Sequence, residues 1–150
     1  MQHAFVTGAA GFIGSNLVDR LLADGVRVTG WDNLSTGQPR FLENANAHPS
    51  FRLMRGDNLD LSALTAAMQG ADFVFHLAAQ PLVRLSYEIP VETFATNVLG
   101  TAHLLEAIRL SGNPCAVVCV TTDKCYENRE WLHAYREEDP MGGHDPYSAS

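Results

Sequence analysis

Lysine is almost missing from this chain, in which Lys124 is the single lysine among ten basic residues. Acidic residues number seventeen, so the formal net charge is −7. Proteins that bind nucleic acids present clustered lysine and arginine to the phosphate backbone, and the sequence contains no such basic stripe. The composition therefore argues against a nucleic acid as the partner of this protein.

Long apolar runs and cysteines are also scarce. No stretch approaches the roughly 18 to 20 apolar residues that span a bilayer, and no basic segment precedes an apolar one at the N-terminus. We therefore expect a cytoplasmic protein with no membrane partner.

The three cysteines are odd in number, and Cys115 and Cys119 fall in an apolar segment that reads as a buried strand. This pattern favours free structural thiols over a disulfide or a metal site.

Glycines, by contrast, are concentrated at a turn near the N-terminus, where the apolar strand Ala4-Phe5-Val6 passes into a helix. Glycine permits unusual backbone dihedrals, and it removes side chains that would keep a pyrophosphate away from the backbone. The unpaired N–H groups of the first helical turn then face the anion. The order of strand, glycine turn and helix predicts a dinucleotide site that includes Gly8, Gly11, Phe12, Ile13 and Gly14.

An acidic residue is expected to bind the ribose about 20 residues after such a turn. Asp32 lies there, directly after the apolar run that ends at Trp31. A carboxylate at this position also repels a 2′-phosphate, so the sequence favours NAD over NADP as the cofactor. The alternative interpretation is that the glycines only make a tight turn and that Asp32 caps a loop.

Apolar segments with strand character alternate with segments of helical periodicity along the chain, which predicts a parallel sheet with right-handed crossovers. We predict one α/β domain over residues 1–150, a Rossmann-like doubly wound parallel sheet in the strand order 3-2-1-4-5 with helices on both faces. The fifth strand, 115–120, reads as buried. A long helix is predicted from Val91 to Leu110. Asn97 lies within it on a mostly apolar segment and needs a polar partner. The residues predicted to face inward are Phe94, Val98, Leu104, Leu105 and Ile108.

The run Thr-Gly-Ala-Ala-Gly-Phe-Ile-Gly at 7–14 resembles the extended short-chain dehydrogenase/reductase family, which contains the nucleotide-sugar epimerases and dehydratases. The resemblance implies that Asp57 contacts the adenine of the cofactor, although Asp57 also reads as the cap of a helix beginning near Leu59. The small residues Ala78 and Ala79 suit close approach by the cofactor. We interpret His76 as a packed core histidine and exclude it from the catalytic set.

The resemblance also implies a catalytic set of Thr122, Asp123, Lys124 and Tyr147. In the family, Tyr147 would take the proton of a sugar 4-hydroxyl group, with Thr122 sharing the hydrogen bond. Asp123 would protonate a departing 6-hydroxyl group, and the side chain at position 124 would assist removal of the C5 proton. The alternative is that Asp123 and Lys124 only pair or cap at the end of the strand.

The two halves of the chain resemble different branches of the family. Residues 76–150 are similar to the 4,6-dehydratases of CDP-sugars, whereas residues 1–75 are similar to the 4-epimerases of UDP-sugars. The chain is thus an unusual member or a constructed chimera. Three hypotheses stay open: a nucleotide-sugar 4,6-dehydratase, a nucleotide-sugar 4-epimerase, and a non-catalytic or engineered fragment that binds NAD and turns nothing over.

The family pattern Tyr-x-x-x-Lys would place its lysine one residue after Ser150. An ammonium beside a tyrosine lowers the pKa of the phenol enough for it to act as a base. We therefore expect this chain, which lacks that lysine, to be inactive by itself. We also expect the fifth strand to present an exposed apolar edge through Val117, Val118 and Val120, and to form a homo-oligomer there.

Overall fold

The computed structural model describes all residues from Met1 to Ser150. Its centre is a five-stranded sheet in the order β3-β2-β1-β4-β5, in which every neighbouring pair is parallel. This result confirms the predicted strand order. The strands are β1 (His3–Thr7), β2 (Arg27–Asp32), β3 (Phe51–Arg55), β4 (Phe73–His76) and β5 (Ala116–Cys119).

Helical segments connect the strands, as the alternating pattern predicts. A 3₁₀ turn covers Pro39–Leu42, a π-helical turn covers Ala95–Leu99, and a second 3₁₀ turn covers Asp123–Cys125. The α-helices are α1 (Phe12–Ala23), α2 (Glu43–Asn46), α3 (Leu61–Ala67), α4 (Val83–Glu88), α5 (Pro90–Phe94) and α6 (Gly100–Ser111). No helix combines the length and the apolar character that crossing a membrane requires.

The core has two parts, one on each face of the sheet. Strand β1 is buried along its whole length and contributes to both. On one face, Val6 packs with Val18 of α1 and Leu42. On the other face, Phe5 packs with Leu64 of α3 and Leu104 of α6. Alternate residues of β1 thus point to opposite faces, and the helices cover both faces of the sheet.

The prediction for the fifth strand was half right. The strand exists, but all four residues of β5 are exposed, so the expectation that it is buried on both sides was wrong. Strand β5 pairs only with β4, which leaves its other edge open. Cys119 is accordingly exposed and Cys115 half-buried. The exposed apolar edge that the sequence predicts is present, with Val117, Val118 and Val120 all in contact with solvent.

The predicted long helix forms as the continuous helical run α5, π turn and α6, but it faces differently from the prediction. Leu104 is fully buried and Ile108 packs against the core, as expected. The expectation that Phe94, Val98 and Leu105 face inward was wrong, because their side chains are 41%, 47% and 50% exposed. All three residues are in contact with solvent, so the core does not take up this part of the helical run.

Candidate active site

A cleft of about 1460 Å³ runs along the carboxyl ends of the strands, where an open parallel sheet holds its ligands. Segments that follow all five strands line it. The cleft brings together most of the residues that the sequence singled out: Gly8, Gly11, Phe12, Ile13, Gly14, Asp32, Asp57, Ala78, Ala79, Thr122 and Tyr147. Asp123 and Lys124 are not part of its lining.

The glycine turn is held in a conformation that side chains would prevent. Gly8 has a φ of 67°, and a Cβ there would lie 2.8 Å from the backbone nitrogen of Ala78. A Cβ at Gly14 would overlap the carbonyl oxygen of Gly8. The first glycine therefore lets the segment after β4 approach the turn, and the third lets α1 start directly against it.

The N-terminus of α1 presents free hydrogen-bond donors to the cleft. The N–H groups of Phe12, Ile13 and Gly14 donate to no acceptor in the protein, and no side chain caps the helix. All three residues line the cleft. The three N–H donors and the positive end of the α1 dipole thus both face the cleft. This arrangement suits the pyrophosphate of a dinucleotide.

Asp32 is buried at the end of β2 and joins two loops. Its Oδ2 accepts a hydrogen bond from the N–H of Ala10 at 2.8 Å, and its Oδ1 accepts one from the N–H of Leu34 at 2.8 Å. The carboxylate therefore fixes the glycine turn and the loop after β2, as the loop-capping interpretation predicts. Each carboxylate oxygen has a second lone pair, so the same group can also accept hydroxyl hydrogens from a ribose.

Asp57 lies on the cleft wall but does not cap the following helix. Its Oδ2 accepts a hydrogen bond from Asn33 at 2.9 Å, and its Oδ1 accepts one from the N–H of Leu59 at 2.9 Å. Helix α3 begins at Leu61, and its cap is Asp60, whose Oδ1 accepts from the N–H of Ala63 at 3.0 Å. The capping role suggested for Asp57 was wrong, and the cap belongs to Asp60, an aspartate directly before the helical pattern.

His76 is confirmed as a packed histidine, and it anchors the wall of the cleft after β4. Its Nδ1 lies 2.7 Å from the hydroxyl of Thr7, and its Nε2 lies 2.9 Å from the hydroxyl of Thr101. The Thr7 oxygen also accepts the N–H groups of Leu77 at 3.1 Å and Ala78 at 3.2 Å. Thr101 in turn donates to a backbone carbonyl at 2.6 Å.

These contacts assign every hydrogen in the network. Because the Thr7 oxygen already accepts two hydrogen bonds, its own hydrogen points to His76 Nδ1. Because Thr101 donates to the carbonyl of Asn97, its oxygen accepts the hydrogen on His76 Nε2. Neutral imidazole satisfies both contacts, and burial lowers the pKa of His76 to about 4. The sequence did not indicate Thr7 and Thr101, since residues 7, 76 and 101 meet only in the fold.

The side-chain amide of Asn97 has the hydrogen-bond partners that a polar group on a mostly apolar helix needs. Its Oδ1 accepts from the N–H of Gln80 at 2.8 Å, and its Nδ2 donates to the Gln80 carbonyl at 3.2 Å. Nδ2 also donates to the Ser150 hydroxyl at 2.8 Å. Asn97 thus joins the cleft wall after β4 to the segment that carries Tyr147.

The four residues expected to be catalytic lie in two neighbouring segments. Thr122 and Tyr147 face the cleft. The Thr122 hydroxyl donates to Asp123 Oδ1 at 3.3 Å and accepts from the N–H of Lys124 at 3.3 Å, so it caps the 3₁₀ turn after β5. Asp123 and Lys124 are exposed beside the cleft, and the Lys124 ammonium lies 5.8 Å from the centre of the Tyr147 ring.

The segment that carries Tyr147 is ordered by local hydrogen bonds. Asp145 accepts from the N–H of Ser148 at 2.9 Å and from the Ser148 hydroxyl at 2.6 Å. The N–H of Tyr147 donates to the hydroxyl of Ser86 in α4 at 3.2 Å. Ser86 and Asp145 therefore fix the backbone of the segment at Tyr147, a role that the sequence did not reveal.

Comparison with known proteins gives consistent matches along the chain. A family model described as GDP-mannose 4,6 dehydratase matches residues 5–150. A CDP-glucose 4,6-dehydratase from Salmonella typhimurium is 48% identical over 151 residues, which cover 99% of this chain and 42% of that protein. A UDP-glucose 4-epimerase from Mycolicibacterium smegmatis is 40% identical over 99% of this chain and 47% of that protein. The chain thus spans less than half the length of these relatives.

Solved structures show the same two kinds of enzyme. A dTDP-glucose 4,6-dehydratase from Streptomyces venezuelae with NAD bound superposes with a TM-score of 0.92 at 33% identity, over 99% of this chain and 48% of that one. A UDP-glucose 4-epimerase from Stenotrophomonas maltophila with NAD bound gives a TM-score of 0.89 at 27% identity, over 99% and 45%.

Proposed function

The chain belongs to the GDP-mannose 4,6-dehydratase family of extended short-chain dehydrogenase/reductases, and from that membership we propose that it is the NAD-binding part of a nucleotide-sugar 4,6-dehydratase. The observation that carries the proposal is the shared cleft, in which Thr122 and Tyr147 lie with the glycine turn and Asp32. A CDP-sugar is the proposed substrate class, because the CDP-glucose 4,6-dehydratase from Salmonella typhimurium is 48% identical.

The residues present fit a dinucleotide. The free N–H groups of Phe12, Ile13 and Gly14 would hold the pyrophosphate, and a side chain at Gly8 would close the space beside Ala78. Asp32 would hold the adenine ribose and repel a 2′-phosphate, which selects NAD. Asp57 is proposed to contact the adenine. Bound NAD would supply the oxidation at the sugar C4 and the matching reduction at C6.

Tyr147 and Thr122 are proposed to handle the proton of the sugar 4-hydroxyl group. Both residues line the cleft, and the N–H of Tyr147 donates to the Ser86 hydroxyl, so the backbone that carries the phenol is held at the cleft wall. Lys124, the single lysine of the chain, lies over the Tyr147 ring.

Asp123 and Lys124 are proposed as the acid and base of the elimination. Asp123 would protonate the departing 6-hydroxyl group, and Lys124 would assist removal of the C5 proton. Both are exposed next to the cleft, at a short turn that Thr122 caps. Rotation of these side chains toward a sugar in the cleft would bring them into use without a change in the sheet.

A 4-epimerase is the second candidate, because the UDP-glucose 4-epimerase relative covers the chain at 40% identity. An epimerase needs no acid and base pair for elimination, so Asp123 and Lys124 favour the dehydratase. The third candidate is a module that binds NAD without turnover. For these 150 residues by themselves we expect this last behaviour, because they span less than half the length of the matched relatives.

Calorimetric titration of the chain with NAD and with NADP tests the cofactor site. We expect saturable NAD binding, much weaker NADP binding, and loss of NAD binding in Asp32→Ala. Asp19→Ala, which changes an acidic residue of α1 outside the cleft, is the matched control and should bind normally. Absence of NAD binding by the folded, unchanged chain would contradict the proposal.

Mass spectrometry of the products separates the enzyme candidates. A dehydratase converts CDP-glucose into a product that has lost one water, whereas an epimerase leaves the mass unchanged. The chain should be tested by itself and with residues appended to supply a lysine four positions after Tyr147. A product that has lost one water would support the dehydratase, whereas NAD binding without product is expected both of a non-catalytic module and of these 150 residues by themselves.

Self-association through the open edge of β5 is the partner proposal. The outward N–H and C=O groups of this strand have no partner strand, and its valines are exposed. A nucleotide sugar is the proposed small-molecule partner.

A further inference from the structure

A second cavity lies at the opposite end of the sheet from the cleft. It measures about 350 Å³, about a quarter of the cleft volume, and opens at the amino ends of β2 and β3 on the face that carries α3. No residue is common to the linings of the two cavities. The proposed cofactor function therefore makes no use of this second cavity.

Two arginines give this cavity its charge. Arg52 of β3 lies opposite Thr29 of β2. Thr29 follows Arg27 by two residues, so their side chains project from the same face of the sheet. Arg27 and Arg52 are therefore diagonal neighbours on that face. Neither guanidinium forms an ion pair, whereas Arg20, Arg109 and Arg129 each pair with a carboxylate. In a chain of net charge −7, two uncompensated cations at one cavity favour an anionic ligand.

The back of the cavity is polar and buried. His3 and Thr29 are 5% and 8% exposed, and His3 Nε2 lies 2.8 Å from the Thr29 hydroxyl. His3 Nδ1 lies 3.0 Å from the carbonyl of Gly70, which can only accept, so Nδ1 carries a hydrogen and donates it there. Thr29 then donates to Nε2 and keeps free lone pairs on its oxygen, which can accept a hydroxyl hydrogen from a ligand.

The remaining wall is mixed, with Met54 and Ala67 as apolar residues and Ser50 and Gln69 as polar ones. The cavity therefore combines a doubly cationic rim, a buried hydroxyl acceptor and a small apolar surface. We propose that it binds a small phosphorylated sugar, with the phosphate held by Arg27 and Arg52 and a sugar hydroxyl donating to Thr29. Guanidinium groups form paired, charge-assisted hydrogen bonds to phosphate oxygens, and the volume excludes a dinucleotide.

The test is calorimetric titration of the 150-residue chain with glucose 1-phosphate, with inorganic phosphate and with glucose, at low ionic strength. We expect saturable binding of glucose 1-phosphate that is tighter than that of phosphate, with no binding of glucose. Arg27→Gln and Arg52→Gln should each weaken it by about tenfold or more, because each loses a charge-assisted bond. Arg55→Gln, on the other face of β3 and outside the cavity, is the matched control and should bind normally.

The assignment would be overturned by absence of binding, by equal affinity for inorganic phosphate, by unchanged binding in both cavity variants, or by an equal loss in Arg55→Gln. Competition by saturating NAD would also overturn it, because it would place the sugar phosphate in the cleft. The site is independent of the cofactor proposal, so a chain that fails to bind NAD can still bind glucose 1-phosphate.

Discussion

Gly14 packs against Gly8 with no room for a side chain, because a Cβ at Gly14 would overlap the carbonyl oxygen of Gly8. The contact joins the first turn of α1 to the end of β1. It places the free N–H groups of Phe12 and Ile13 beside the cleft, so a packing requirement and an anion site arise from the same glycine.

Gly14→Ala should disrupt this contact. The new methyl group must displace backbone atoms, which do not yield as a flexible side chain would, so we expect a loss of about 3 kcal/mol of unfolding free energy. Denaturant unfolding measures it, and NAD titration should show weakened binding. Gly25→Ala is the control, because Gly25 has a φ of 78° but nothing within 4 Å of an added Cβ. It should lose only about 1 kcal/mol. Equal losses in the two variants would contradict the packing argument.

His76 should make stability depend on pH in a defined window. Its pKa is about 4 in the folded chain against 6.5 ordinarily, so the unfolded chain binds the proton first as the pH falls. Stability is therefore full above about pH 6.5, falls between pH 6.5 and 4, and levels off below that, with a total loss of about 3 kcal/mol from this group.

Denaturant unfolding at several pH values across that window measures the effect. His76→Gln cannot titrate, so its stability should be lower at neutral pH but should fall less steeply on acidification. Carboxylates titrate in both proteins and cancel in the difference between them. A slope that is the same with and without His76 would show that the imidazole does not stay neutral in the fold.

Asn58 should be a site where an apolar substitution stabilises the chain. Its side chain is buried, and neither Oδ1 nor Nδ2 has a hydrogen-bond partner. Leaving such groups unpaired costs about 1 to 3 kcal/mol, and an apolar side chain of similar shape avoids the cost. Asn58→Leu should therefore raise the unfolding free energy by about 1 kcal/mol.

Asn46→Leu, at an exposed position, is the control, and its unfolding free energy should change little. Destabilisation by Asn58→Leu alone would indicate that the amide has a partner, such as a buried water.

The glycine turn and the strand order could be predicted from the sequence because both depend on local signals. Gly8, Gly11 and Gly14 are close in the chain, and strand segments alternate with helical ones. The network of Thr7, His76 and Thr101 could not be predicted, because its members come together only through the pairing of β1 with β4 and the docking of α6. Residues of that kind carry no spacing signal.

The solvent exposure of Phe94, Val98 and Leu105 shows a second limit of sequence patterns. Helical periodicity identifies an apolar face but does not state whether the chain itself covers that face. Leu104 and Leu105 are adjacent and equally apolar, yet one is fully buried and the other 50% exposed. Strand β5 shows the same limit, since its apolar sequence is that of a central strand and its position is at the edge.

Val118→Lys should prevent self-association if the β5 edge carries it. A charged side chain on an edge strand opposes pairing with a second edge, because the ammonium would have to be desolvated between the strands. Leu105→Lys is the matched control, since Leu105 is 50% exposed and Val118 49%, but Leu105 lies on the helical face. Light scattering after size-exclusion chromatography should show a dimer or larger species for the unchanged chain and for Leu105→Lys, and a monomer for Val118→Lys. A monomer for Leu105→Lys and a dimer for Val118→Lys would assign self-association to the exposed face of α5 and α6. A monomeric unchanged chain at high concentration would exclude both the β5 edge and this helical face.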